Sequence, residues 1–260
     1  MDITSRDNPR VKELRRLLTD ARFRRETGLF VCEGARLCED AARSKMEQVW
    51  ALITPRAQEK YATLLALVQE TCGQVYTISE ELSRYLADTE SPQGVFSVCR
   101  RPLKKAEGEM PLLGRYLALE DVQDPANIGA VIRTAEAMGA AGLIVSAGCC
   151  DPYSPKALRA SMGGTFRLPI YEVSEMREAV KSLQDRGFVC YAAVVDSCAK
   201  PITEVSFGPS SVCLVGNEGN GLREATASAC AERITIPMAG RAESLNASMA
   251  AGILLWEMLK

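Results

Sequence analysis

The sequence contains no histidine. That absence excludes Ser-His-Asp and Cys-His nucleophiles, histidine metal ligands and an imidazole general base. Chemistry in this chain must therefore run on Arg, Lys, Asp, Glu, Ser, Asn, Cys, Tyr or backbone groups. Cysteines stand at positions 32, 38, 72, 99, 149, 150, 190, 198, 213 and 230, and none forms a C-x-x-C pair. Cys149 and Cys150 are adjacent rather than at chelating spacing, so neither a zinc site nor a thioredoxin-like redox centre is expected. No run approaches the ~18 apolar residues of a membrane span, and MDITSRDNPR offers no apolar stretch for a signal sequence. The expectation is a cytoplasmic protein with reduced, mostly buried thiols, no metal and no membrane contact.

What is present is ordinary globular composition: 260 residues, 47% hydrophobic and 25% charged. That length suits one large domain or two ordinary ones. The net charge of −2 conceals an uneven distribution. Residues 1–105 hold 18 basic against 15 acidic side chains (+3), and the remainder 13 against 18 (−5). Residues 10–25 alone carry seven Arg or Lys and two acids. A solvated helix face and a phosphate-contacting stripe both fit that segment.

Along the first hundred residues, helical and strand patterns alternate. Val11, Leu14, Leu17, Leu18 and Ala21 recur at helical spacing, with Arg10, Lys12, Arg15, Arg16 and Arg22 mostly on other faces. Strands are predicted at Gly28–Gly34, Gln48–Ile53, Gln74–Ile78 and Gly94–Cys99, with helices through Ala35–Arg43 and after Pro55. The aperiodic, charged stretch after Arg101 reads as an interdomain linker. The domain boundaries expected are 1–102, a linker at 103–113, and 114–260. Beyond the linker, apolar runs and helical segments alternate to the end, which argues for a mainly parallel sheet with helices on both faces.

Three stretches carry possible chemistry. In LEDVQDPANIGAVIRTAEAMGA (Leu119–Ala140) a strand ends in acids and Asn127 stands where an N-cap is expected. Arg133 falls off the buried stripe of the helix that follows. It pairs with Glu136 at i+3, or it presents a fixed cation above the strand ends. LVGNEGNGLREA (Leu214–Ala225) places Gly216, Gly219 and Gly221 between a strand and a helix. It matches neither a P-loop nor G-x-G-x-x-G, and serves as a tight turn or as a ligand-hugging loop around Glu218. In ITIPMAGRAESLNASMAAGILLWEM (Ile234–Met258), Ser244 and Asn246 either cap the last helix or point into a pocket. Leu245, Met249, Gly252, Ile253 and Trp256 are the expected core face of that helix, widened by Leu254, Leu255 and Met258.

Taken together and in this order, the three stretches resemble the signature motifs of the SpoU/TrmH branch of SPOUT methyltransferases. The matching patterns are N-x-G-x-x-x-R-T-A (Asn127–Ala135), G-N-E-G-x-G (Gly216–Gly221) and I-P-M-x-G-x-x-x-S-L-N-x-S (Ile236–Ser248). TSRDNPRVKELRRL…GLFVCEGARL is similar to the substrate-binding domain often fused ahead of that fold. Ala126, where glycine is frequent, and Ala247, where valine is usual, are small departures that remove no functional group.

The resemblance implies an α/β fold: a SPOUT-type parallel sheet with helices on both faces and a C-terminal trefoil knot, preceded by a small α/β RNA-binding domain. It implies 2′-O-methylation of ribose in structured RNA, rRNA or tRNA, with S-adenosylmethionine as donor. It further implies a homodimer whose active site uses both chains. Arg133, Glu218, Ser244 and Asn246 match the family's catalytic set, with Asn127 supporting them. Gly216, Ile236 and Leu245, together with Leu214, Asn217, Gly219 and Met238, would hold the cofactor. Arg10, Lys12, Arg15, Arg16 and Arg22 would contact RNA, mostly through charge. A non-catalytic RNA-binding or ribosome-assembly protein that keeps the fold is the alternative.

Overall fold

Apolar runs bounded by glycine or proline become the strands of two separate sheets. The computed structural model describes residues 2–103 and 105–260. The chain divides into one unit of Met1–Leu103 with Asp151–Phe166 and another of Lys104–Cys150 with Arg167–Lys260.

The first unit contains, in order, β1 (Asp2–Ile3), α1 (Pro9–Thr19), α2 (Ala21–Thr27), β2 (Leu29–Glu33), α3 (Ala35–Arg43) and β3 (Gln48–Ile53). α4 (Pro55–Lys60), α5 (Ala62–Thr71), β4 (Val75–Ile78), α6 (Glu80–Leu86) and β5 (Val95–Arg100) follow. Its sheet order is β1-β4-β3-β5-β2, parallel except where β5 runs against β3 and β2. Side chains alternate between two cores, as strand geometry requires. Phe96 and Val98 join Leu14, Leu17 and Trp50 on one face, while Val95 and Cys99 join Phe30 and Cys38 on the other.

The helix expected to continue through Ala21 is two helices. Asp20 ends α1 in an extended conformation, and its carboxylate accepts the Phe23 N–H at 3.0 Å, capping α2. A side chain that offers the backbone a local partner at that point favours a break over continuation.

The second unit contains β6 (Gly114–Leu119), α7 (Pro125–Met138) and β7 (Gly142–Ser146). After α8 (Pro155–Ser161), which belongs to the first unit, come β8 (Ile170–Val173), α9 (Met176–Asp185), β9 (Val189–Ala193) and β10 (Lys200–Pro201). β11 (Ser210–Val215), α10 (Glu224–Ala227), β12 (Glu232–Thr235) and α11 (Ala247–Leu259) complete it. All seven strands run parallel in the order β10-β12-β9-β11-β6-β7-β8. The parallel sheet read from the sequence is present. No described helix is long and apolar enough to cross a membrane.

The stretch after Arg101 is not a free tether. Lys105 bridges to Tyr171, Glu107–Glu109 forms a 3-10 turn, and Met110 is buried beside Tyr116 in the core of the second unit. Arg186 reaches back to the carbonyls of Glu107 and Met110. One buried methionine and one bidentate arginine are enough to dock a segment whose composition alone suggests solvent.

Residues 151–166 join the first unit for a comparable reason. Asp151 accepts from Arg24 Nε at 2.7 Å, with both side chains almost fully buried, and Arg24 also donates to the Leu17 carbonyl. Tyr153 packs against Phe30 with ring centroids 5.0 Å apart. Removing one partner of a buried ion pair strands the other charge, at a cost of about 3–5 kcal/mol. Asp151→Ala is therefore expected to lower the midpoint of thermal unfolding steeply; a midpoint within a degree or so of wild type would refute a structural role for the pair.

Candidate active site

The carboxyl ends of parallel strands are where an α/β sheet opens a crevice. Here β9, β11 and β12 end around a cleft of about 370 Å³. That is within the roughly 300–1,000 Å³ typical of small-molecule sites. Val194, Val195, Leu222, Ile236, Met238 and Leu245 give it apolar walls. The loop from Gly216 to Leu222 lines it throughout. Gly216 is required by close approach: a Cβ there would collide with the backbone of Gly221 and Leu222. The loop is closed by paired backbone hydrogen bonds between Asn217 and Gly221 at 2.9 and 3.0 Å. Asn217 shapes it further, since its Oδ1 accepts the N–H groups of Gly219 and Asn220.

Glu218 is the polar centre. Its Oε1 accepts from Asp124 N (3.1 Å) and Asn127 Nδ2 (2.9 Å). Its Oε2 accepts from Gln123 N (3.1 Å) and, more weakly, Asn217 Nδ2 (3.5 Å). Asn127 Oδ1 in turn accepts Asn246 Nδ2 at 3.0 Å. One ladder of side chains thus joins all three stretches singled out in the sequence. Partial burial raises the Glu218 pKa, but the donors from Asn127, Gln123 and Asp124 outweigh it and the net shift is downward. The carboxylate is held ionised and its lone pairs are occupied, so it ties segments together rather than waiting for a proton.

Several expectations need correction. Asn127 is not the N-cap of α7: Asp124 caps it, accepting from Ala126 N at 2.9 Å, because Pro125 takes the first helical position. Asn127 is instead buried in the first turn, which frees its amide for Glu218 and Asn246. Arg133 does not pair with Glu136, which is held by Arg167 at 2.8 Å. Among the described residues Arg133 forms no ion pair or hydrogen bond; it is exposed and absent from the cleft wall. Six positions beyond Asn127, it lies about 120° around the helix.

Gly216, Asn217, Gly219, Ile236, Met238, Leu245, Glu218 and Ser244 all line the cleft. Leu214 does not. Its side chain is fully buried in the core with Cys190 and Val212, and Val215, one position along the strand, faces the opening instead. Asn246 does cap the last helix, its Oδ1 accepting from Ser248 N and Met249 N, while its amide N–H serves the ladder. The last helix buries the face expected only as an extension: Leu254, Leu255 and Met258 are inside, with Ala251 beside them. Met249 (61% exposed), Ile253 and Trp256 (65%) lie outside. A helix apolar all round gives no period from which to choose a face.

Val194 and Val195, just past β9, were missed. Their only sequence signal is position at the end of a strand neighbouring β11. Three thiols of the second unit are poor nucleophiles: burial pushes those of Cys190 and Cys230 up to about 12, and Cys213 higher still.

In the first unit the basic stripe is engaged locally. Arg10 pairs with Glu13, Lys12 with Asp7 and Arg22 with Glu26. Arg15 and Arg6 both stack on the Tyr85 ring at 4.5 and 4.6 Å, and Arg16 lies 3.8 Å from the Phe23 centroid. Such contacts hold guanidinium groups in place while leaving their charge at the surface.

Residues 114–256 match the SpoU rRNA Methylase family, and residues 8–97 match the MRM3-like substrate binding domain. The 23S rRNA (guanosine(2553)-2′-O)-methyltransferase RlmP of Bacillus subtilis is 31% identical, over 98% of this chain and 98% of its own. The AdoMet-bound rRNA methyltransferase of Sinorhizobium meliloti superposes with a TM-score of 0.87 at 30% identity, covering 99% of this chain and 97% of that one. The SpoU methyltransferase AviRb of Streptomyces viridochromogenes, in complex with AdoMet, gives 0.86 at 28% identity, with 97% of each chain covered.

The Glu218 tie has a pH signature. With its folded pKa lowered, the stabilisation it confers is complete above the unfolded carboxylate value and is lost as pH falls through the folded one. Glu218→Gln is expected to melt below wild type at pH 7, and the difference is expected to close on acidification below the usual carboxylate range. A difference independent of pH would count against an ionised tie.

Proposed function

Because this chain belongs to the SpoU rRNA Methylase family, we propose that it transfers a methyl group from S-adenosylmethionine to a ribose 2′-hydroxyl of rRNA. The observation that carries this reading is the Glu218–Asn127–Asn246 ladder, which draws three distant motif segments together at the mouth of an apolar cleft. The cleft fits the cofactor: apolar walls suit a purine, and the backbone groups of the glycine loop supply polar contacts. Gly216, Asn217, Gly219, Ile236, Met238 and Leu245 would hold it. Bound there, it supplies an electrophilic methyl group on a positively charged sulfur.

The protein's task is to orient and to stabilise charge. Arg133 cannot act as an ordinary base, since guanidinium stays protonated. Free of carboxylates, its donors suit a developing 2′-oxyanion and the phosphate beside it. Glu218, already accepting several N–H groups, leaves the proton to the substrate phosphate or to water. Ser244 at the cleft wall would contact the substrate ribose or the cofactor. Arg10, Lys12, Arg15, Arg16 and Arg22 of the N-terminal unit would grip RNA, and their ring-stacked or paired settings favour shape and phosphate recognition over base reading. The family implies a trefoil knot at the C-terminus and work in the cytoplasm.

We further infer a homodimer. Arg133 is off the wall of its own cleft, and α11 leaves Met249, Ile253 and Trp256 uncovered. A second copy seated on that face would bury them and bring Arg133 to the partner's cleft.

Three measurements test these readings. Incubation with labelled S-adenosylmethionine and 23S rRNA is expected to give one alkali-resistant ribose site. Arg133→Ala is expected to lower kcat by about 10²-fold or more while cofactor Kd stays within about twofold. Near-wild-type turnover by Arg133→Lys would refute a bidentate clamp. For the shared site, mixing inactive Arg133→Ala with an inactive Gly216→Ala chain should restore activity, since mixed dimers contain one intact site. No recovery, with mixed dimers demonstrably formed, would place Arg133 and the cleft in the same chain.

A further inference from the structure

Among the buried ionisable groups of the second unit, one carboxylate plays no part in the chemistry above. Glu120 directly follows β6 and is only 2% exposed. Its backbone N–H donates to the Val215 carbonyl at 2.9 Å, the last residue before the glycine loop. Its Oε2 accepts the Arg223 backbone N–H at 2.8 Å, the first residue after that loop. Its Oε1 accepts the Thr226 hydroxyl at 2.6 Å. A single residue therefore fixes both the departure and the return of Gly216–Leu222.

The arrangement has a local reason. Arg223, the N-cap residue of α10, makes no side-chain capping bond, so Glu120 supplies from the neighbouring strand what a capping side chain would supply in sequence. Two donors converge on the site, and the carboxylate offers each a separate acceptor oxygen. Asp121 adds to the frame. Its carbonyl accepts Asn217 Nδ2 at 2.8 Å, and its carboxylate takes the Arg223 guanidinium at 2.6 Å.

We propose that Glu120, with Thr226 as its partner, is a positioning residue for the cofactor: it holds the glycine loop in the shape that lines the cleft. The proposal rests on the reading of that cleft as the S-adenosylmethionine site. It gives Glu120 a role separate from the Glu218 ladder, which ties the middle of the loop to α7, whereas Glu120 ties its ends to β6. A polar residue that merely fills the core would change stability and leave cofactor affinity alone.

The test is calorimetric binding of S-adenosylmethionine to the full chain, with thermal unfolding and kcat at saturating cofactor measured in parallel. Glu120→Ala is expected to weaken Kd by about tenfold or more, and Thr226→Val by about threefold. Glu120→Gln is expected to stay near wild type. Its amide oxygen keeps the Arg223 N–H, and the Thr226 hydroxyl can turn to accept from its amide nitrogen. In every variant that folds, kcat at saturation is expected to remain within about twofold of wild type. Unchanged affinity with a lowered unfolding midpoint would overturn the proposal, and Thr226→Val decides the matter if Glu120→Ala does not fold. Wild-type protein that binds no S-adenosylmethionine would overturn the reading of the cleft itself, an outcome distinct from tight wild-type binding with indifferent variants.

Discussion

The parallel register of β6 against β11 brings the acids after one strand and the glycine loop after the other into contact. With Leu119 opposite Val215, the acids that end one strand and the glycines that follow the other emerge side by side. Glu120 and Asp121 then meet Arg223 and Asn217, and the peptide groups after β6 meet Glu218. A shift of one residue would turn the alternating side chains over and send Glu120 to the wrong face. The long apolar runs of both strands, buried on each side as parallel strands are, resist that shift. Chemistry at the strand ends is thus underwritten by packing several residues away.

The absence of histidine is consistent with such a site. Nothing in it needs a group that titrates near neutrality. Glu218 is kept ionised by its donors, and the other polar groups around it are amides, hydroxyls and backbone N–H. Positioning within a preorganised cleft can account for a large part of a methyl-transfer rate, on the order of 7–11 kcal/mol of barrier. That demand falls on the loops and their ties, which explains why so many side chains here bond to backbone rather than standing free.

Much of this architecture was legible in the residues. Ala35–Arg43 and Gln48–Ile53 could be read to the residue, the first because it follows Gly34 with a helical period, the second because it is a short apolar run that Pro55 stops. Most of the cleft wall was legible only through the resemblance of the three stretches, taken together, to the SpoU/TrmH motifs; glycine, asparagine and proline spacing alone left each stretch open between a turn or cap and a ligand site. What was hidden is of another kind. Asp20 divides a helix through one hydrogen bond that competes with continuation. Leu214 and Val215 differ only in which side of a strand they occupy. The face of α11 that packs inward was misread because the helix is apolar on all sides, so the choice is made by α7, β6 and β11 and not by its own period. The missing pairing of Arg133 with Glu136 depends on Arg167, which is distant in sequence.

Asn246 uses both ends of its amide, one oxygen to start α11 and one N–H to complete the ladder at Asn127. The two partners are separated by 119 residues. The same side chain therefore belongs to two structures at once, the first turn of α11 and the polar ladder beside the glycine loop. Loosening the contact with Asn127 would also loosen the start of the helix that packs on α7, so the order of the site and the order of that helix rise and fall together.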